Sequence, residues 1–134
     1  MDRMKRTPLH YAAIYNDVER VVELLAEGYD QNAADIEGFT PLHFAAQDYS
    51  VAAARALLDA GATIDSVDKF GNTPLSKASF NSRGRGELIS LLRERGADPW
   101  RANNYGQTPV GLARLIANYP VAQFFEDLPE ESSW

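Results

Sequence analysis

Thr7-Pro8-Leu9-His10-Tyr11-Ala12-Ala13 returns at Thr40 as Thr-Pro-Leu-His-Phe-Ala-Ala, at Thr73 as Thr-Pro-Leu-Ser-Lys-Ala-Ser and at Thr108 as Thr-Pro-Val-Gly-Leu-Ala-Arg. The spacings are 33, 33 and 35 residues. A block of this size recurring at a near-constant period marks units that stack side by side, not a chain wound around one long-range core. Function is then expected on a surface that the stack exposes.

The recurring residues suit a short helical hairpin. Thr7, Thr40, Thr73 and Thr108 are N-cap candidates whose hydroxyls can accept from an orphan backbone amide. The prolines that follow them suit the first helical position, where the missing N–H costs nothing. Small residues such as Ala12-Ala13 and Ala45-Ala46 come next, then a second apolar run at helical spacing: Val18, Val21, Val22 and Leu25 in the first block, Val51, Ala54, Leu57 and Leu58 in the second. Gly28, Gly61 and Gly96 stand where a left-handed residue ends a helix. The stretches 35–38, 68–71 and 103–106 precede the later Thr-Pro pairs and read as tight turns.

These residues resemble the ankyrin repeat family over roughly residues 2–128, since the Thr-Pro-Leu-His motif, a Leu-rich second helix and a Gly-Ala ending recur in the right order. The resemblance implies an all-α fold, an ankyrin repeat α-solenoid of four stacked helix-turn-helix repeats with short outward loops. The expected repeats are 2–34, 35–67, 68–102 and 103–129 of a single domain covering 1–134, with an acidic tail at 130–134. Expected helices cover 8–15, 18–27, 41–48, 51–60, 74–80, 87–95, 109–117 and 120–127. Helices of this length are marginal alone because nucleation is costly, so neighbours must stabilise them.

Four departures from the pattern stand out. Lys5 replaces the turn glycine of the later repeats, so the first turn is expected to be irregular or frayed. The third repeat carries two extra residues, placed in 81–86 and expected to form a flexible loop, whose two glycines and two arginines are either a tolerated surface insertion or a binding feature. Ser76 and Gly111 replace the motif histidine, which in the family bonds between the threonine and the next repeat's backbone; the junctions after them should be held less tightly. Trp100 either packs under the adjacent turn or projects as an anchor, and Trp134 ends a polar tail.

Composition narrows the function. The chain has no cysteine, which removes thiolate chemistry and disulfides, and it lacks an apolar run able to cross a membrane or form a secretory signal. A cytoplasmic location and a monomer are expected. A formal charge of −6 opposes sequence-independent nucleic-acid binding, which depends on Lys and Arg neutralising phosphates, and favours a basic protein partner. The acidic C-terminus reads as a solvated cap or as half of a docking surface. No phosphate-cradling loop, nucleophile elbow or zinc spacing is present, so no catalytic residue, metal or cofactor is expected.

The resemblance implies a module that binds another protein through the concave side, formed by the turn tips and the exposed face of the first helices. An alternative is a dedicated inhibitor, similar to the immunity proteins that neutralise a basic toxin or enzyme. The candidate partner-binding residues are Tyr11, Tyr15, Glu37, Phe39, Phe44, Asp48, Phe70, Asn72, Lys77, Asn81, Tyr105 and Gln107. Gln47, Phe80 and Leu112 occupy neighbouring positions of the same face. The aromatic members carry most weight, because rings placed where solvent-facing polar residues would serve are the type enriched in interface hot spots.

Overall fold

A computed structural model of the protein describes residues 3–116 and 118–129. Trp134 and the other residues of the acidic tail lie outside the described residues. Seven α-helices are present among those described: α1 (Pro8–Ile14), α2 (Val18–Ala26), α3 (Pro41–Gln47), α4 (Val51–Asp59), α5 (Pro74–Asn81), α6 (Glu87–Glu94) and α7 (Pro109–Leu115), followed by a 3-10 turn at Ala122–Phe125. They stack in two layers, one built by α1, α3, α5 and α7 and the other by α2, α4 and α6.

Each first helix begins as the sequence requires, with the threonine extended, the proline at the first helical position and, at Thr40, Thr73 and Thr108, the hydroxyl accepting from the amide three residues on. Each second helix ends in a Schellman motif. Tyr29, Ala62 and Ala97 donate their amides to Leu24, Leu57 and Leu92, around glycines of positive φ. The interface between repeats is apolar and close: Leu9, Ala13, Leu24, Ala45, Ala46, Leu57, Leu75, Leu88 and Leu92 are all fully buried.

Polar bonds fix the stacking register. The Asp35 carboxylate accepts from the amides of Glu37 and Phe39, and Asp68 and Asn103 repeat the arrangement in their own tips. Neighbouring tips then join through one backbone bond each: Ile36 to Met4 at 2.7 Å, Lys69 to Glu37 at 2.9 Å and Asn104 to Phe70 at 2.9 Å. Gly71 must be glycine twice over, since its φ is +80° and a Cβ there would lie 2.8 Å from the Asn104 amide nitrogen. At the opposite ends of the hairpins, Asn16 and Tyr49 cap the next repeat's second helix, accepting from the amides of Ala53 and Leu88.

Four details differ from the sequence reading or resolve it. Helix 120–127 is reduced to the 3-10 turn, because the segment is held by three anchors rather than by a continuous helix: Val121 and Phe125 are buried, the Phe124 ring lies where a Cβ on Gly86 would be, and Asp127 pairs with Arg93 at 2.7 Å. The 81–86 segment is not a loose loop. Asn81 extends α5, Ser82 is buried, and Arg85 lays its guanidinium 3.8 Å from the Tyr49 ring centroid while donating to the Ser82 carbonyl at 2.7 Å. Lys5 adopts φ +60°, supplying the left-handed corner that glycine supplies elsewhere, so the first tip still joins the ladder. Trp100 packs, half-buried, against the core with Arg114 over its ring.

Candidate functional site

The third repeat is where the motif changes, and the surface changes with it. In the first two repeats the imidazole is a strut between repeats. Thr7 and Thr40 donate their amides to Nδ1 of His10 and His43, so Nε2 carries the proton and donates to the carbonyls of Phe39 and Asn72, both at 2.9 Å. Burial holds both imidazoles below the ordinary histidine range, against the opposing pull of those carbonyl bonds, and keeps them neutral. At the third repeat Ser76 stands in that place. Its hydroxyl is 3.5 Å from Thr73 and has no bond to the fourth tip.

The neighbouring motif position changes in parallel. Phe44 and Phe39 form the centre of a column between repeats: Arg6 lies 4.8 Å over Phe44, the two rings are 5.1 Å apart, and Lys77 lies 4.3 Å over Phe39. Each cation is also held by a buried carboxylate, Arg6 by Asp35 at 3.2 Å and Lys77 by Asp68 at 3.5 Å. Partial burial opposes the Arg6 charge, but hydrogen bonds to Asp35 and Tyr11 outweigh it and raise its pKa. The second oxygen of Asp68 has no hydrogen bond, so the Lys77 ammonium is its electrostatic partner. Lys77 therefore ends the column. With no ring beyond it and no imidazole beside it, a groove of about 640 Å³ opens along α5.

The groove is lined by Gln47 and Asp48 at the end of α3, Phe70 and Asn72 of the third tip, Ser76, Lys77, Phe80 and Asn81 on one face of α5, Arg83 beyond it, Asn103, Tyr105 and Gln107 of the fourth tip, and Leu112 on α7. Positions 76, 77, 80 and 81 fall together because residues four apart share a helix face. Tyr105 is 73% exposed and Phe80 68%, so their rings stand in solvent. Partial burial raises the pKa of Asp48, and among the described residues no cation pairs with it.

Of the candidate residues read from the sequence, Asp48, Phe70, Asn72, Lys77, Asn81, Tyr105 and Gln107 come together here. Tyr11 and Tyr15 lie on the first repeat, away from the groove; Tyr15 is exposed, while Tyr11 is half-buried beside Arg6. Glu37 pairs with Lys69 between tips at 2.9 Å. Phe44 is corrected: at 4% exposure it is a core residue, because Arg6, His10 and Phe39 close over its ring. Phe39 is likewise packed between Phe44, His43 and Lys77 rather than presented to solvent. Sequence reasoning missed Ser76 and Asn103 and took Arg83 only as part of the 81–86 segment. The signal for Ser76 was present, since it is the first break in the histidine series.

Charge is divided between the two layers. The tips and first helices carry Arg3, Lys5, Arg6, Lys69, Lys77 and Arg114 against Asp35, Glu37, Asp48 and Asp68, whereas α2 carries Glu19 and Glu23 against Arg20, with Glu27 at its C-cap, and α4 and α6 with the C-cap Arg95 carry Arg55, Arg93 and Arg95 against Asp59, Glu87 and Glu94. Among these described residues the net negative charge is thus on α2, not on the groove side. No group of three His, Asp or Glu side chains among the described residues is placed to hold a metal, and no helix is long and apolar enough to cross a membrane.

The tip ladder, the histidine struts and the double layer of short helices define a helical repeat scaffold. The ankyrin-repeat family model matches residues 9–103 in three copies. The chain belongs to the ankyrin repeat family, whose members are generally protein-interaction scaffolds rather than catalysts. No curated protein matches it.

Proposed function

We propose that this ankyrin repeat protein binds a partner protein through the face formed by its hairpin tips and first helices, with the third and fourth repeats at the centre of the contact. The observation that carries this reading is the groove along α5, where Phe70, Phe80 and Tyr105 expose ring surface beside amide side chains. An exposed aromatic cluster rimmed by polar groups is the usual composition of an interface core. This face carries six cations against four carboxylates, which gives no preference for a basic partner. A basic toxin or enzyme would instead meet the acidic α2 in the second-helix layer, so the inhibitor reading requires the opposite surface.

The test is affinity capture with the whole chain, the recovered protein identified by mass spectrometry and its binding then measured with purified components. Wild type is compared with Tyr15→Ala/Phe70→Ala/Tyr105→Ala, which truncates three exposed rings without opening the core. Loss of at least tenfold in affinity is expected, the size of effect that interface hot spots carry. Equal affinity for the triple variant, together with loss on reversing the charge of Glu19 and Glu23, would move the site to the second-helix layer.

A further inference from the structure

The shape and chemistry of the groove restrict what it can hold. It follows α5, whose eight residues span about 12 Å at 1.5 Å per residue. A helical segment would arrive with its backbone hydrogen bonds already made internally, whereas an extended one brings its amides and carbonyls unpaired. An extended chain covers the distance in about four residues.

The lining matches such a chain. Among the described residues, the Gln47 carboxamide and the amino groups of Asn72 and Gln107 have no protein partner, while Asn81 spends its amino group on the Lys77 carbonyl and leaves its oxygen free. A carboxamide both donates and accepts, which is what a peptide backbone needs at each unit. Charge cancels along the groove. Lys77 is offset by Asp68, and the unpaired Asp48 and Arg83 lie at the same end with opposite signs.

We infer that the groove takes an extended segment of the partner protein, about four residues long and without net charge, its backbone held by Gln47, Asn72, Asn81 and Gln107 and one large apolar side chain seated beside Phe70 and Tyr105. This rests on the tip-and-first-helix face being the binding face, and it specifies the form in which the partner is bound. It also accounts for the break in the motif. A histidine at position 76 would place an imidazole across the groove floor toward the fourth tip, as His43 does toward the third. Ser76 keeps that space open.

The experiment is a selection from a phage-displayed library of random nine-residue peptides on the full chain, with the enriched peptides synthesised and titrated by calorimetry. Enriched sequences should share an uncharged core with one aromatic or large aliphatic residue, and their Kd should change less than twofold between 50 and 500 mM NaCl, since no net charge is neutralised on binding. Ser76→His should weaken them at least tenfold and Val22→Ala, at an exposed position of α2, leave them unchanged. Tyr105→Ala/Gln107→Ala, at exposed positions, gives the same readout if Ser76→His does not fold. Peptides that bind these variants as well as wild type, a strongly charged and salt-sensitive consensus, or no enrichment at all would overturn the inference. If the captured partner of the preceding section loses affinity for the ring-truncated variant while no peptide is enriched, the binding face stands and the extended occupant falls.

Discussion

The junction between the second and third repeats and the junction between the third and fourth are built on one backbone plan but closed differently. At the former, His43 ties Thr40 to the Asn72 carbonyl, and Phe39, Phe44 and Lys77 fill the space beside it. At the latter, the tip bond from Asn104 to Phe70 survives, yet the imidazole and the ring are missing and a groove takes their place. The difference teaches that in a stacked repeat the same motif position is either mortar or cavity, according to one side chain. Replacing a strut residue locally releases polar edges and aromatic faces for a partner, at a cost confined to nearest-neighbour contacts.

The largest expected contrast lies between leucines of the two halves. Leu57 in α4 is fully buried and Leu115 in α7 is 73% exposed. Leu57→Ala should destabilise the fold by about 2–5 kcal/mol, and Leu115→Ala by no more than about 0.5 kcal/mol. Urea unfolding monitored by circular dichroism measures both, and equal losses would remove the distinction between closed and open ends.

Next in size is the strut itself. His43→Ala strands the Thr40 amide and the Asn72 carbonyl, at about 1–3 kcal/mol, whereas Ser76→Ala removes a marginal contact and should cost under about 1 kcal/mol. Hydrogen exchange should show the His43→Ala loss in the third tip, and a matching loss for Ser76→Ala would mean that serine replaces the strut after all.

The struts also set a pH response of the closed half. Both histidines are held below their ordinary value, near about 6.5, so the unfolded chain takes up protons before the folded one does. The stability that depends on neutral imidazoles is complete above that value and is lost as pH falls toward and through the lowered one. Melting temperature should therefore be flat between pH 7 and 8 and decline below about 6.5. His10→Gln/His43→Gln should flatten that decline; an unaltered slope would assign it to other groups.

The smallest expected change sharpens the comparison most. Ser76→His should extend the strut series to the fourth tip and raise stability by about 0.5–1.5 kcal/mol, the worth of one added hydrogen bond. Denaturant midpoints and exchange protection at 103–107 measure it. A loss of stability would show that the groove cannot close over an imidazole.

What the sequence determined by itself was everything local in origin. A Thr-Pro pair caps a helix wherever it occurs, a glycine after a Leu-rich run ends one, and a 33-residue period requires stacked units; α1 to α7 follow from those signals. The candidate face was also legible in part, since seven of its residues converge on the groove. Tertiary structure decided what depends on a neighbour. Phe44 and Phe39 occupy face positions by count, but Arg6 and Lys77 from the adjoining repeats close over them, and no pattern within one repeat announces that. Helix 120–127 has the composition of a helix, yet packing of Phe124 on Gly86 and Asp127 on Arg93 selects a shorter turn. Periodicity reports each residue's own backbone, whereas burial is a property of pairs, and pairs exist only once the repeats have stacked.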